Sequence, residues 1–204
     1  LSPVHGSHRL LGGGCSLFGM ALQVLALQVT AVKRSTVTIR SIDFKNFTYP
    51  LPNDLLAPNK AKKTFHLTNG ELPARLTREG RVKGLGVFFG HIVYADVTGD
   101  GIDEAIIKLG IQSGGSALPG IVYVYSIKGK QPKPLWYFST GDRAYGGFRR
   151  AYAEQGKLVI ELNDPRGNRG DCCPTQYRRT QYKWSGNQFQ KKRQEILLLN
   201  EKGQ

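Results

Sequence analysis

Alternation with a period of two, carried from residue 36 to residue 199, is the feature that most restricts this chain. Successive strand side chains point to opposite faces, so branched or aromatic residues at every second position mark half-buried strands. TVTIR (36–40) and IDFKNFTY (42–49) show it first. KTFHLTNGELPARLT (63–77) reads as two short strands around Asn69-Gly70, a strong hairpin signal. Further strands are expected at 87–97, 104–111, 120–127, 134–140, 148–154, 157–162, 175–184 and 187–199. Lys128-Gly129, Gln155-Gly156 and Ser185-Gly186 read as tight connections, and LPNDLLAPNK (51–60) as a loop. In IVYVYSI (121–127), Ile121, Tyr123, Tyr125 and Ile127 share one face while Val122 and Val124 share the other, which predicts a central strand covered on both sides. The class expected is all-β with at most minor α, built as an antiparallel sandwich or an incomplete barrel of hairpins. No internal repeat is present, which excludes a propeller.

Residues 1–31 follow a different pattern. Arg9 precedes the uncharged run LLGGGCSLFGMALQVLAL (10–27), and Val29-Thr30-Ala31 has the small residues of a signal-peptidase site. Basic, apolar and small regions in that order describe a secretory signal. A signal anchor is the rival, although the glycines and Gln23 weaken it. The expected organisation is a leader over 1–31 and one β-rich domain over 32–204, exported to the periplasm or the medium. The membrane is met only through an uncleaved leader.

Charge narrows the partners. Lys and Arg outnumber Asp and Glu by 29 to 15, a net +14, and only Arg9 of this excess lies in the leader. Such a domain favours an anionic partner: a glycan, a lipid head group or another polymer. Export argues against nucleic acid, and a soluble basic protein without such a partner is the plain alternative. Cys172 and Cys173 are adjacent, with Cα atoms about 3.8 Å apart against the roughly 4.4–6.8 Å of ordinary disulfides. A strained vicinal disulfide, two thiols and a soft-metal site all stay open, and an oxidising compartment favours the first.

ADVTGDGIDEAI (95–106) has site-like spacing. Counting Asp96 as position 1, side-chain oxygens fall at 1, 3 (Thr98), 5 (Asp100) and 9 (Glu104), with Gly101 at 6 and the Ile102 carbonyl at 7. A curled loop aims alternate oxygens inward, the glycine allows the turn, and a hard Ca²⁺ takes six to eight oxygens. An EF-hand is excluded because Ile107 stands at position 12 and strands flank the loop. The competing reading is a metal-free turn whose carboxylates cap their own backbone, braced by a nearby Arg or Lys.

This segment resembles the calcium loops of FG-GAP and related repeat proteins, patterned D-x-[DN]-x-D-G-x-x-[DE] between two strands. The resemblance implies Ca²⁺ held by Asp96, Asp100 and Glu104 with the Ile102 carbonyl. Thr98 stands where Asp or Asn is usual, and Asp103 is a substitute or a supporting residue. More widely, IDFKNFTYPLP, DVTGDGIDEAII, LWYFSTGDRAYGGFRRAY and GDCCPTQYRRTQYKWSGNQF in this order look like a group of uncharacterised exported bacterial β-rich proteins. That likeness implies export and one β domain, and no activity comes with it.

Other chemistry is sparse. GIQSGGSALPG (110–120) leads into a strand rather than a helix and lacks the closing Lys-Ser/Thr of a phosphate loop. GLGVFFG (84–90) is off register for a dinucleotide fingerprint, and there is no G-x-S-x-G. His66 and His91 lie within strand patterns. Asp142, Glu154, Glu161 and Asp164 are carboxylates from which a glycosidase-type pair would be drawn, but no spacing selects one. Cations interleave with aromatics in FRRAY (148–152) and YRRTQYKW (177–184), and further basic groups stand in PRGNRG (165–170) and QKKR (190–193). On a strand Tyr177 and Arg179 share a face and Arg178 takes the other. Arg149, Arg150, Tyr177, Arg178, Arg179 and Lys183 are therefore the candidate ligand-binding residues, with outward basic side chains as edge protection the alternative. RGD at 169–171 is of low specificity. The expected function is a non-enzymatic, exported binding module with a structural Ca²⁺ loop. The alternatives are a hydrolase or transferase acting on an anionic polymer and a nucleic-acid-binding protein.

Overall fold

The layering follows from β6 (Gly120–Lys128), where six consecutive residues, Gly120 to Tyr125, are buried whichever face they point to. A strand of that kind needs cover on both sides, and the computed structural model supplies it. It describes residues 37–52, 63–81, 84–112, 119–141, 146–167 and 173–199, all within one compact unit, Thr36–Gln204. The leader, Asp142, residues 169–171, Cys172, most of the 51–60 loop and the centre of 110–120 lie outside the described residues.

Eleven strands are described: β1 (Thr48–Pro50), β2 (Thr64–His66), β3 (Glu71–Leu72), β4 (Gly86–Ala95), β5 (Glu104–Gln112), β6, β7 (Gln131–Ser139), β8 (Phe148–Glu154), β9 (Lys157–Asn163), β10 (Gln176–Trp184) and β11 (Phe189–Leu198). They form an antiparallel five-stranded sheet ordered β3-β4-β5-β6-β7, a four-stranded sheet ordered β11-β10-β9-β8, and the pair β1-β2. The architecture is an all-β sandwich and not a closed barrel. Among the described residues no helix is long and apolar enough to cross a membrane.

One face of the five-stranded sheet, through Val93, Ile106, Val122, Val124 and Trp136, packs on Ala151, Leu158, Ile160 and Tyr182 of the four-stranded sheet. Its other face, through Ile107, Leu109, Ile121, Tyr123 and Tyr125, is covered by Ile39, Phe44, Tyr49, Phe65 and Leu67. Tyr49 is fully buried, stacks on Phe65 with ring centroids 5.5 Å apart, and donates its hydroxyl to the Phe44 carbonyl at 2.6 Å. Burying a side chain of that size stabilises by about 2–3 kcal/mol.

The eight strands expected from 87 onward are present within two or three residues of their expected ends. The N-terminal stretch differs. Residues 39–41 form a 3₁₀ turn, Asp43 accepts the Lys45 and Asn46 amides, and only 48–50 of the expected strands pair. Ile39, Phe44 and Phe47 pack onto the sheet from the 3₁₀ turn and the turn at Asp43, not from a paired strand. Asn69 and Gly70 do make a turn, with φ of 52° and 85°, but a single bridge, Thr68 to Glu71, is all the hairpin they close. The flanking segments find other partners: β2 pairs with β1 and β3 with β4. The turn after β6 is Gly129-Lys130, one residue beyond the expected place.

Candidate functional site

ADVTGDGIDEAI joins β4 to β5. Val97 is fully buried between the two sheets and anchors the loop, while Gly99 and Gly101 take φ of 82° and 83°. The side-chain oxygens are aimed at the loop's own amides. Asp96 accepts from Gly99 at 2.6 Å and Gly101 at 2.9 Å, and Asp100 accepts from Ile102 at 2.9 Å. Glu104, with no exposed surface, accepts from Val97 at 3.0 Å and Thr98 at 3.2 Å, and the Thr98 hydroxyl lies 3.5 Å from its other oxygen. Asp103 is paired with Arg40, whose Nη2 is 2.6 Å from Oδ2. Among the described residues the cation brace therefore reaches Asp103 and not Asp96, Asp100 or Glu104.

These contacts set opposite electrostatics on two carboxylates. Burial, the largest effect, pushes Glu104 up, helped by the Asp100 charge, against the Val97, Ser126 and Thr98 hydrogen bonds. At Asp96 burial also pushes upward, but amides led by Gly101 and Gly99 outweigh it and hold the carboxyl below its ordinary range. Among the described residues no three His, Cys, Asp or Glu side chains are gathered closely enough to hold a metal. Asp96, Thr98, Asp100, Glu104 and the Ile102 carbonyl, the expected ligand set, are therefore not drawn together around one point, and a cation here would need their carboxylates to close in. Each carboxylate oxygen has two lone pairs, so an amide hydrogen bond does not exhaust it.

The second cluster lies on the face of the four-stranded sheet turned away from the five-stranded one. Cross-strand register places Arg150, Glu161, Arg179 and Glu195 in one row. Glu161, fully buried at its centre, receives Arg150 through Nε at 2.7 Å and Nη2 at 3.1 Å, and the Tyr152 hydroxyl at 2.9 Å. A bulge between Phe148 and Arg150 brings Arg149 Nε to 3.3 Å as well. Arg179 bonds Tyr152, Glu154 and Glu195. The guanidinium of Arg149 lies 4.9 Å from the Tyr177 ring centroid and that of Arg150 lies 4.8 Å from that of Tyr152.

Four of the six candidate ligand residues, Arg149, Arg150, Tyr177 and Arg179, thus meet in one network. Lys183 is exposed further along β10, and Arg178 points inward opposite Leu162. Glu161, Tyr152 and Glu154 hold the network together; Glu154 and Glu161 are candidate carboxylates to which the sequence assigns no selected role, because their partners come from other strands. Asp164 is bound by Arg166, which pulls its carboxyl down to about 2. His66 meets the Thr48 hydroxyl across β1–β2 at 2.9 Å, and Cys173 is exposed. Comparison with protein-family models, curated proteins and solved structures finds no match to this chain.

Proposed function

We propose that this chain is an exported, non-enzymatic binding module that takes an anionic envelope or extracellular ligand on the outer face of its four-stranded sheet, with one structural Ca²⁺ in the β4–β5 loop. The observation that carries the ligand reading is the distribution of charge between the sheets. Strands β8 to β11 hold nine Lys and Arg against three Glu, whereas β3 to β7 hold three Lys against two Glu. Arg150, Lys183 and Arg193 reach solvent on that outer face, and Lys191, paired with the inward Tyr182, and the bulge residue Lys192 reach solvent at the edge strand. Stacking on tyrosines and pairing with Glu161 fixes Arg149 and Arg150 before any ligand arrives, which lowers the ordering cost of binding. A guanidinium has five donors, so two bonds to Glu161 leave Arg150 capacity for an anion. Glu154, Glu161 and Asp164 are each ion-paired with arginine, an arrangement that favours recognition over acid–base chemistry.

For calcium the support is the spacing of Asp96, Thr98, Asp100 and Glu104, the two left-handed glycines, and a buried Glu104 whose charge lacks a cation among the described residues. The ligand reading is tested by co-sedimentation with phosphatidylglycerol vesicles and with an acidic polysaccharide over a salt series. Binding to at least one probe that weakens as salt rises is expected, with none to phosphatidylcholine. Absence of binding to both anionic probes at low salt overturns it.

A further inference from the structure

Lys108 stands on the inner face of a central strand, where a lysine is costly. Its neighbours on that face of β5 are Ile106 and Gly110, and the face looks toward the four-stranded sheet. Glycine makes room for it. A Cβ on Gly120 would lie 1.9 Å from Lys108 Nζ and 2.7 Å from Cε, and one on Gly90 would lie 3.4 Å from Cγ. Gly120 has no positive φ, so space for the side chain is what it provides, whereas Gly90, the extra residue of the β4 bulge, lets the Lys108 carbonyl approach, at 2.9 Å from where its Cβ would lie. The ammonium donates to the Leu109 carbonyl at 2.9 Å and lies 5.7 Å from the Phe148 ring centroid.

His91 is directly opposite Lys108 in the β4–β5 register, so the two side chains share a face, and its ring lies 5.8 Å from the same Phe148 ring. Directly opposed residues have Cβ atoms about 4.5–5.5 Å apart. Among the described residues no carboxylate pairs with either group, although Arg40, Arg149, Arg150, Arg166, Arg179 and Arg193 all have one. Among the described residues the surrounding elements bring no counter-charge. β6 contributes Gly120 and Val122, β8 turns Arg149 and Arg150 to Glu161 on the far face, and the inward cation of β10, Arg178, acts on Asp164 and Tyr182. Burial pulls Lys108 down to about 8, and burial followed by the Lys108 charge pulls His91 below its ordinary value.

A half-buried lysine and a histidine on one face, without a carboxylate partner among the described residues, form an arrangement that an anion completes. We propose that Lys108 and His91, walled by Phe148 and floored by Gly120, bind one small oxyanion, a carboxylate or a phosphate. His91 is exposed and Lys108 half-buried, so the oxyanion enters over the imidazole. This site is separate from the outer-face surface and does not depend on it.

The test is an NMR titration of the Lys108 ε-methylene and His91 imidazole, with inorganic phosphate in one arm and acetate in the other, chloride keeping ionic strength constant. In at least one arm both midpoints are expected to rise together and saturably, Lys108 by about one pH unit, while exposed Lys128 and Lys130 stay put. The arm that responds names the oxyanion, and response in both defines a general carboxylate and phosphate site. Lys108→Met and Gly120→Ala abolish the His91 response, whereas Arg150→Gln on the outer face leaves it intact. No shift in either arm, or a Lys108 shift no larger than that of Lys128 and Lys130, overturns the proposal. The wild-type titration decides by itself if a variant fails to fold.

Discussion

At Glu104 the loop buries a carboxylate against two backbone amides, and its charge is destabilised there. Because its folded value is raised, the folded chain holds more protons than the unfolded chain between the ordinary carboxyl value and the raised one. Stability therefore falls as pH rises through that window. Glu104→Gln keeps an acceptor for the amides and removes the charge, so the fall should disappear in chemical denaturation followed against pH. Bound Ca²⁺ favours the ionised carboxylate and should erase the same fall. At neutral pH millimolar Ca²⁺ is then expected to raise the melting temperature by roughly 5 °C over an EDTA control. Asp100→Ala should lose that rise, and an unchanged melting temperature in the wild type would make the loop a metal-free turn. The spacing of these oxygens was legible in the sequence. Their commitment to the loop's own amides was not, because Asp caps a turn and ligates a metal with the same atoms.

Elements β4 to β11 were readable from period-two alternation because each is a strand inside a sheet, and extended pairing is the cause of that period. Over residues 37–47 the apolar residues fall onto the sheet from turns, so of the strands expected there only the end, β1, is a strand. Lys108 was invisible, and Glu161 was legible only as one of four unselected carboxylates, for a different reason: the groups that define them arrive from neighbouring strands through register. A packing prediction follows for the N-terminal cover. Tyr49→Ala should lower the unfolding free energy by about 3–5 kcal/mol, since it opens a cavity under Phe65 and exposes Tyr123 and Tyr125. Tyr49→Phe removes only the hydroxyl bond to Phe44 and should cost about 1 kcal/mol. Urea denaturation measures both, and near-equal losses would show that the buried hydroxyl, not the ring, holds the cover down.

Across the whole molecule, net charge was readable from composition but its placement was not, because only the pairing order assigns the basic segments to one sheet. FRRAY and YRRTQYKW become the first and third strands of a four-stranded sheet and meet over Glu161 of the strand between them. The central claim is that an anionic ligand reads this sheet and not the total charge of the chain. Two variants with the same change in net charge separate these. One carries Lys183→Glu, Lys191→Glu and Lys192→Glu on β10 and β11; the other carries Lys128→Glu, Lys130→Glu and Lys133→Glu around the β6–β7 turn. All six lysines are exposed, so neither set should disturb the core. The measurement is affinity for phosphatidylglycerol vesicles and for an acidic polysaccharide at one fixed salt concentration, with the melting temperature as a check on folding. The account predicts at least a roughly tenfold loss for the β10–β11 set and a much smaller loss for the β6–β7 set. Equal losses would show that net charge alone drives binding and would contradict it.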